Sequence, residues 1–213
     1  MAAVEHPLQR AWSLLWQVEP PPEKAGGRGP RGVARRGRGG AAPAARSAGV
    51  SAEQYLAGVC DLGFFETVEG FWGCHAASLV GSPDTLPENG NFYLFERGVA
   101  PTWEHEANAR GGRWFSTVDG LGAEAWLDLC LGLIGETLDP DGQVTGAVLS
   151  RRRSYLRVAL WTRDREWGGL QELGRRAAAL LGIPRLEYQD HGSAYGAPSR
   201  HSVGDLAEAF PPK

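Results

Sequence analysis

Lysine is nearly missing from this chain of 213 residues: Lys24 and Lys213 are the only two, and the remaining twenty basic residues are arginine. Neither lysine follows a glycine run of the kind that builds a phosphate-binding P-loop, and no G-x-S-x-G nucleophile elbow occurs. Cysteine is scarce. Cys60, Cys74 and Cys130 are odd in number and lack C-x-x-C spacing, which argues against a disulfide framework or a zinc knuckle and fits reduced thiols. His105-Glu106 starts an H-E-x-x-H pattern that fails at Ala109, so that zinc site does not form. Gly27, Gly29 and Gly32 satisfy G-x-G-x-x-G only inside a low-complexity run, with no strand before it and no helix after it. No stretch reaches the ~18 apolar residues of a membrane span, and Met1 to Trp12 has no apolar signal core. The expectation is a protein without enzymatic activity, metal, cofactor or membrane partner, located in the cytoplasm, with the nucleus as an alternative.

What is present suits one packed unit. The residues from Pro20 to Gly49 are nearly all Gly, Ala, Arg or Pro and read as a disordered insertion (20–50), leaving roughly 180 residues for a core. That insertion carries six Arg and one Lys against one Glu, a net +6, so the remainder of a chain of net charge −3 stands at about −9. An acidic body is a poor general polyanion binder, and any nucleic-acid role must rest on a local basic site. The arginine bias also fits a GC-rich coding sequence, so the insertion is weighed as a loop before an RNA contact. The Gly-, Ser- and Pro-rich tail, 192–213, reads as mobile, and the whole of 1–213 as a single domain.

Leu8 to Trp16 and Leu56 to Phe65 read as strands. Thr67 to Leu79 reads as a helix with Thr67 as N-cap, followed by a strand at Asn91 to Phe95, an irregular segment at Pro101 to Gly112 and a strand at Arg113 to Val118. Leu121 to Leu138 is the second helix, with an apolar surface wider than one packed face needs. Gly146 to Arg152 and Tyr155 to Thr162 form a hairpin around Arg153-Ser154. Leu170 to Leu181 is the third helix and Arg185 to Tyr188 a last strand. The fold class expected is α+β: a curved antiparallel sheet covered by helices on one face, with the other face open to a ligand.

The chemistry that stands out is aromatic. Among eight tryptophans, Trp103 is followed by Glu104, and Trp161 ends a strand that begins beside arginines. A flat cationic ring between aromatic faces gains stacking and cation–π attraction, with stacking worth roughly 1–3 kcal/mol per base. Glu104 can accept from guanine's ring N–H and amino group. By strand alternation Arg152 and Arg157 share a face that Ala159 and Trp161 continue, while Val158 and Leu160 point to the core. Two guanidiniums near an aromatic platform suit a di- or triphosphate.

His6-Pro7-Leu8-Gln9 with Trp12 and Trp16, Thr67-Val68-Glu69-Gly70-Phe71-Trp72, Trp103-Glu104, Arg110-Gly111-Gly112-Arg113-Trp114, Leu133-Ile134-Gly135-Glu136, and Gly146-Ala147-Val148 with Trp161-Thr162 occur in this order. Together they resemble the eukaryotic translation initiation factor 4E family. The resemblance implies a cupped sheet of about eight strands with three helices on its convex back, binding the 7-methylguanosine cap of messenger RNA in its mouth. It assigns Trp103 and Trp161 to cap contact, Glu104 to guanine, and Arg152 and Arg157 to the phosphates. The family's first stacking tryptophan falls on Tyr55, whose smaller ring should stack more weakly and which resembles a branch associated with translational repression. Ser154 stands where many members carry a basic residue.

On the convex side, His6, Pro7, Val68, Trp72, Leu127, Leu131 and Gly135 match the family surface that receives a Tyr-x-x-x-x-Leu-hydrophobic helix from 4G-type scaffold factors or 4E-binding proteins. The implied function is cap binding with scaffold recruitment for translation initiation. The alternatives are a cap-binding repressor isoform, and an interaction adaptor with weak or no cap binding.

Overall fold

In the computed structural model, residues 5–18, 52–77, 83–192 and 201–204 are described. The proposed insertion at 20–50 lies wholly outside these residues. The chain order is β1 (Pro7–Val18), α1 (Ala52–Ala57), β2 (Val59–Thr67), α2 (Val68–Ala77), a 3₁₀ turn (Pro83–Thr85), β3 (Gly90–Glu96), α3 (Glu106–Ala109) and β4 (Gly112–Val118). It continues with α4 (Ala123–Ile134), β5 (Val144–Arg152), β6 (Tyr155–Thr162), α5 (Leu170–Leu181), β7 (Arg185–Asp190) and β8 (His201–Gly204).

All eight strands pair antiparallel in one sheet, ordered β2-β1-β3-β5-β6-β4-β7-β8. Side chains alternate across such a sheet, and here both faces are partly apolar. One face bears Trp12, Leu14, Leu94, Trp114, Leu149, Val158 and Leu160, which pack with Phe71 of α2, Trp126, Leu129 and Leu133 of α4, and Leu173 and Ala177 of α5. This is the main core, and it places the three longer helices on one side. The opposite face holds a smaller cluster of Tyr93, Phe95, Val148, Ala159 and Trp161.

Local chemistry sets the helix ends. The Thr67 hydroxyl accepts from Gly70 N at 3.0 Å and so caps α2, as its sequence predicts. Helix α5 runs over the expected residues and stops at Gly182, whose φ of 62° suits glycine.

Four expectations are corrected. Leu56 lies in α1, not in a strand, so β2 starts three residues later, at Val59. The irregular segment at 101–112 contains the short helix α3. The tail contains β8, paired with β7. Helix α4 ends at Ile134, and its broad apolar surface is mostly internal: Trp126, Leu129, Cys130, Leu133 and Ile134 are all buried, because α4 packs on the sheet and on α5 together.

Candidate cap-binding and partner-binding faces

The hairpin register fixes the open face. Ser150 pairs with Arg157, Val148 with Ala159 and Gly146 with Trp161. Residues directly opposite share a face, so Arg152 lies diagonal to Arg157 on the side that carries Ala159 and Trp161. Four residue steps, or about 13 Å of strand, run from Arg157 to Trp161. Arg157 is nearly buried, with its guanidinium 5.8 Å from the Phe115 ring and 5.7 Å from the Tyr155 ring. Two π faces thus hold a permanent charge that has little water around it. The Arg152 guanidinium forks onto Asn91 Oδ1 at 3.1 and 3.2 Å and reaches Gly90 O at 3.4 Å.

Trp161 forms the floor at the other end. It is 9% exposed and meets Phe95 edge-on at 5.6 Å and His191 at 4.3 Å. Burial, with a further contribution from nearby Arg113, lowers the His191 pKa from 6.5 to about 3, so this imidazole is neutral at physiological pH. Trp161 Nε1 and His191 Nε2 are both buried without a hydrogen-bond partner among the described residues. Arg113 lies opposite Trp161 on β4, 5.3 Å from Phe115, and donates to Gln189 at 2.9 Å.

Trp103 and Glu104 sit in the turn between β3 and α3. Trp103 is 46% exposed, which is unusual for so large an apolar ring. Their loop is nevertheless fixed: buried Asn108 donates to Ala100 O at 3.0 Å and to Thr102 O at 2.8 Å, and His105 Nδ1 caps α3 by accepting from Ala107 N. No ring contact joins Trp103 to the other aromatic residues of the site among the described residues. Tyr55, on α1, reaches the open face through its hydroxyl, 2.6 Å from that of Tyr93.

The helix-covered side carries the other predicted set, on the start of β1, on α2 and on α4. His6 O accepts from Val68 N at 2.9 Å, and Glu69 holds His6 through both its backbone N (2.9 Å) and its Nδ1 (2.6 Å). These bonds, the side-chain one first, pull the Glu69 carboxyl from 4.5 down to about 2. His6 and Pro7 are thereby clipped to the start of α2. Val68 and Trp72 are exposed on that helix, Leu127 and Leu131 are half-buried on α4, and Gly135 is exposed at its end.

Sequence reasoning gave no role to Asn108, Gln17, Tyr93, Asn91 or His191, and for His105 it went no further than excluding a zinc site. A buried polar residue at an inward strand position, such as Gln17 or Asn91, is the kind of signal that marks such partners, but its partner is not legible locally.

Comparison with known proteins gives a consistent result. A sequence model of the family described as eukaryotic initiation factor 4E matches residues 7–204. The eukaryotic translation initiation factor 4E of Saccharomyces cerevisiae is 31% identical over 207 residues, covering 94% of this chain and 83% of the yeast protein. The initiation factor NCBP of Arabidopsis thaliana is 33% identical over 156 residues, covering 70% and 69%. Among solved structures, Ascaris suum eIF4E-3 in complex with the m2,2,7G cap is similar at a TM-score of 0.71 and 27% identity, over 94% of this chain and 99% of that one. Caenorhabditis elegans eIF4E-3 bound to the 4E-binding protein Mextli is similar at 0.69 and 26%, over 94% and 100%.

Proposed function

Because the chain belongs to the eukaryotic initiation factor 4E family, we infer that it binds the 7-methylguanosine cap of messenger RNA and joins a helical partner protein in translation initiation. The worm relatives have been captured with caps, with Mextli, and with both together, which supports separate ligand and partner faces here.

The observation that carries the reading is the open face of the sheet, where Arg152, Arg157 and Trp161 lie in sequence along one hairpin, taken with the exposed ring of Trp103 next to Glu104 in the turn before α3. Methylation at N7 puts a positive charge on guanine, and aromatic faces attract such a ring by its quadrupole as well as by stacking. Trp103 and Tyr55 supply stacking faces and Trp161 an apolar wall. Glu104 accepts from the guanine N–H groups, and Arg152 and Arg157 take the phosphates by charge-assisted bonds. The chemistry is recognition. On the other side Trp72, Val68, Leu127, Leu131 and Gly135, with the clipped His6-Pro7, form an apolar strip suited to an amphipathic helix.

Titration with 7-methylguanosine triphosphate and with GTP, followed by tryptophan fluorescence, tests this. The methylated nucleotide should quench strongly and GTP weakly. Trp103→Ala should abolish the response, and Glu104→Ala should erase the preference for guanine. Equal responses to both nucleotides would overturn the assignment.

A further inference from the structure

Between α1 and the sheet lies a chain of polar groups whose hydrogen-bond directions can be deduced. A guanidinium has no acceptor, so the Asn91 atom facing Arg152 is its carbonyl oxygen, and Asn91 Nδ2 is left to donate to Gln17 Oε1 at 3.3 Å. The Tyr93 hydroxyl also donates to Gln17 Oε1, at 2.6 Å. Having given its proton to Gln17, Tyr93 can only accept from Tyr55, so the 2.6 Å contact runs from the Tyr55 hydroxyl to the Tyr93 oxygen. Gln17 Nε2 then returns a bond to the Tyr55 backbone carbonyl at 3.2 Å. Gln17, Asn91 and Tyr93 are each under 5% exposed, so the bonds among these three work out of reach of competing water, while Tyr55 and Arg152 are the half-buried ends of the chain.

We propose that Gln17 and Tyr93 are positioning residues that fix the ring of Tyr55 as one wall of the cap slot, an inference that rests on the ligand reading above. Tyr55 is gripped at both ends, by its carbonyl and by its hydroxyl, and α1 has only six residues to hold it otherwise. A tyrosine presents less stacking surface than a tryptophan. Fixing its rotamer before the ligand arrives removes an ordering cost that a free side chain would meet on binding. The same network orients the Arg152 guanidinium, so the stacking wall and one phosphate contact are set together. An indole at position 55 has one N–H in a different place and no oxygen, so it could not close this network. The tyrosine is thus the residue that these neighbours fit.

The test is a double-mutant cycle on the full chain, with 7-methylguanosine triphosphate as probe. Tyr55→Phe and Tyr93→Phe should each weaken binding roughly three- to tenfold, and the double variant no further than the weaker single. Losses that multiply in the double variant would indicate independent structural damage and overturn the proposal, as would a Tyr93→Phe protein that binds like the parent or a Tyr55→Phe protein that binds more tightly. Amide exchange of residues 55–58 should quicken in Tyr93→Phe while β5 and β6 stay protected; unchanged exchange also overturns the tether. If the parent itself fails to bind the nucleotide, the cap reading falls, and the exchange measurement alone decides whether the tether exists.

Discussion

Trp161 and His191 lie ring against ring, 4.3 Å apart and tilted by 46°, with the His191 backbone N held by Gly111 O at 3.1 Å. The imidazole pKa is about 3 in the folded protein against 6.5 when free. Between those values the unfolded chain binds a proton that the folded chain does not. The stability from this group is therefore fully present above pH 6.5 and declines as pH falls toward 3. The slope should be at most about 1.4 kcal/mol per pH unit. Urea unfolding at pH 7, 6 and 5 should show it, and His191→Asn should flatten it; an equal slope in the variant would mean that other groups are responsible.

The exposed ring of Trp72 lies 5.0 Å from Phe71 and 5.6 Å from His75, so its Cβ direction is supported while one side is open. Central aromatic anchors often account for about 2 kcal/mol or more of binding. Trp72→Ala should remove binding of a Tyr-x-x-x-x-Leu-hydrophobic peptide by calorimetry and leave the nucleotide response intact. Glu69→Gln should give a smaller loss, because it loosens His6 at one end of the strip and leaves the Trp72 anchor in place. Loss of nucleotide binding in Trp72→Ala would show that the two faces are not independent.

Features encoded over a few neighbouring residues were legible. Thr67 as a cap, the limits of α5, and the shared face of Arg152, Arg157 and Trp161 follow from capping chemistry, helical spacing and strand alternation. Features that depend on distant neighbours were not. Gln17 and Tyr93 are far apart in sequence and neither announces the other. The apolar stretch ending in Phe65 reads as continuous, yet Gly58 turns the chain between α1 and β2. The width of α4 suggests a docking surface, and packing against α5 uses most of it. Strand β8 is four residues within a Gly- and Pro-rich tail, too short for alternation to show.

Arg10 ties the first strand to the segment after α4. Its guanidinium bonds Glu136 at 3.0 Å, Asp139 at 3.3 Å and Val144 O at 3.1 Å, and Arg163 pairs with Glu96 beside it. Glu136 and Asp139 are largely buried, so removing the cation leaves two carboxylates facing each other in a poor solvent. Arg10→Met should lower stability by about 3 kcal/mol in chemical denaturation. Arg10→Lys should fall between, since an ammonium cannot form the fork. A loss under about 1 kcal/mol for Arg10→Met would show that the network is screened like a surface pair.

Gly146 is the point at which the sheet can be loosened under the proposed slot. It sits opposite Trp161, next to the register shift in β5, and a Cβ there would meet the Phe95 ring at 2.5 Å. That distance is inside van der Waals contact with a ring that is itself fully buried and packed edge-on against Trp161. Gly146→Ala should therefore push Phe95 into Trp161, at a cost of about 1–3 kcal/mol in stability, as overpacked cores show. The displaced indole should also reduce nucleotide affinity, while the peptide face, on the far side of the sheet, keeps its binding. Phe95→Leu placed in the Gly146→Ala background should recover both properties in part by giving the methyl room. If that second change does not help, the strain lies in the backbone at the bulge and not between the two rings.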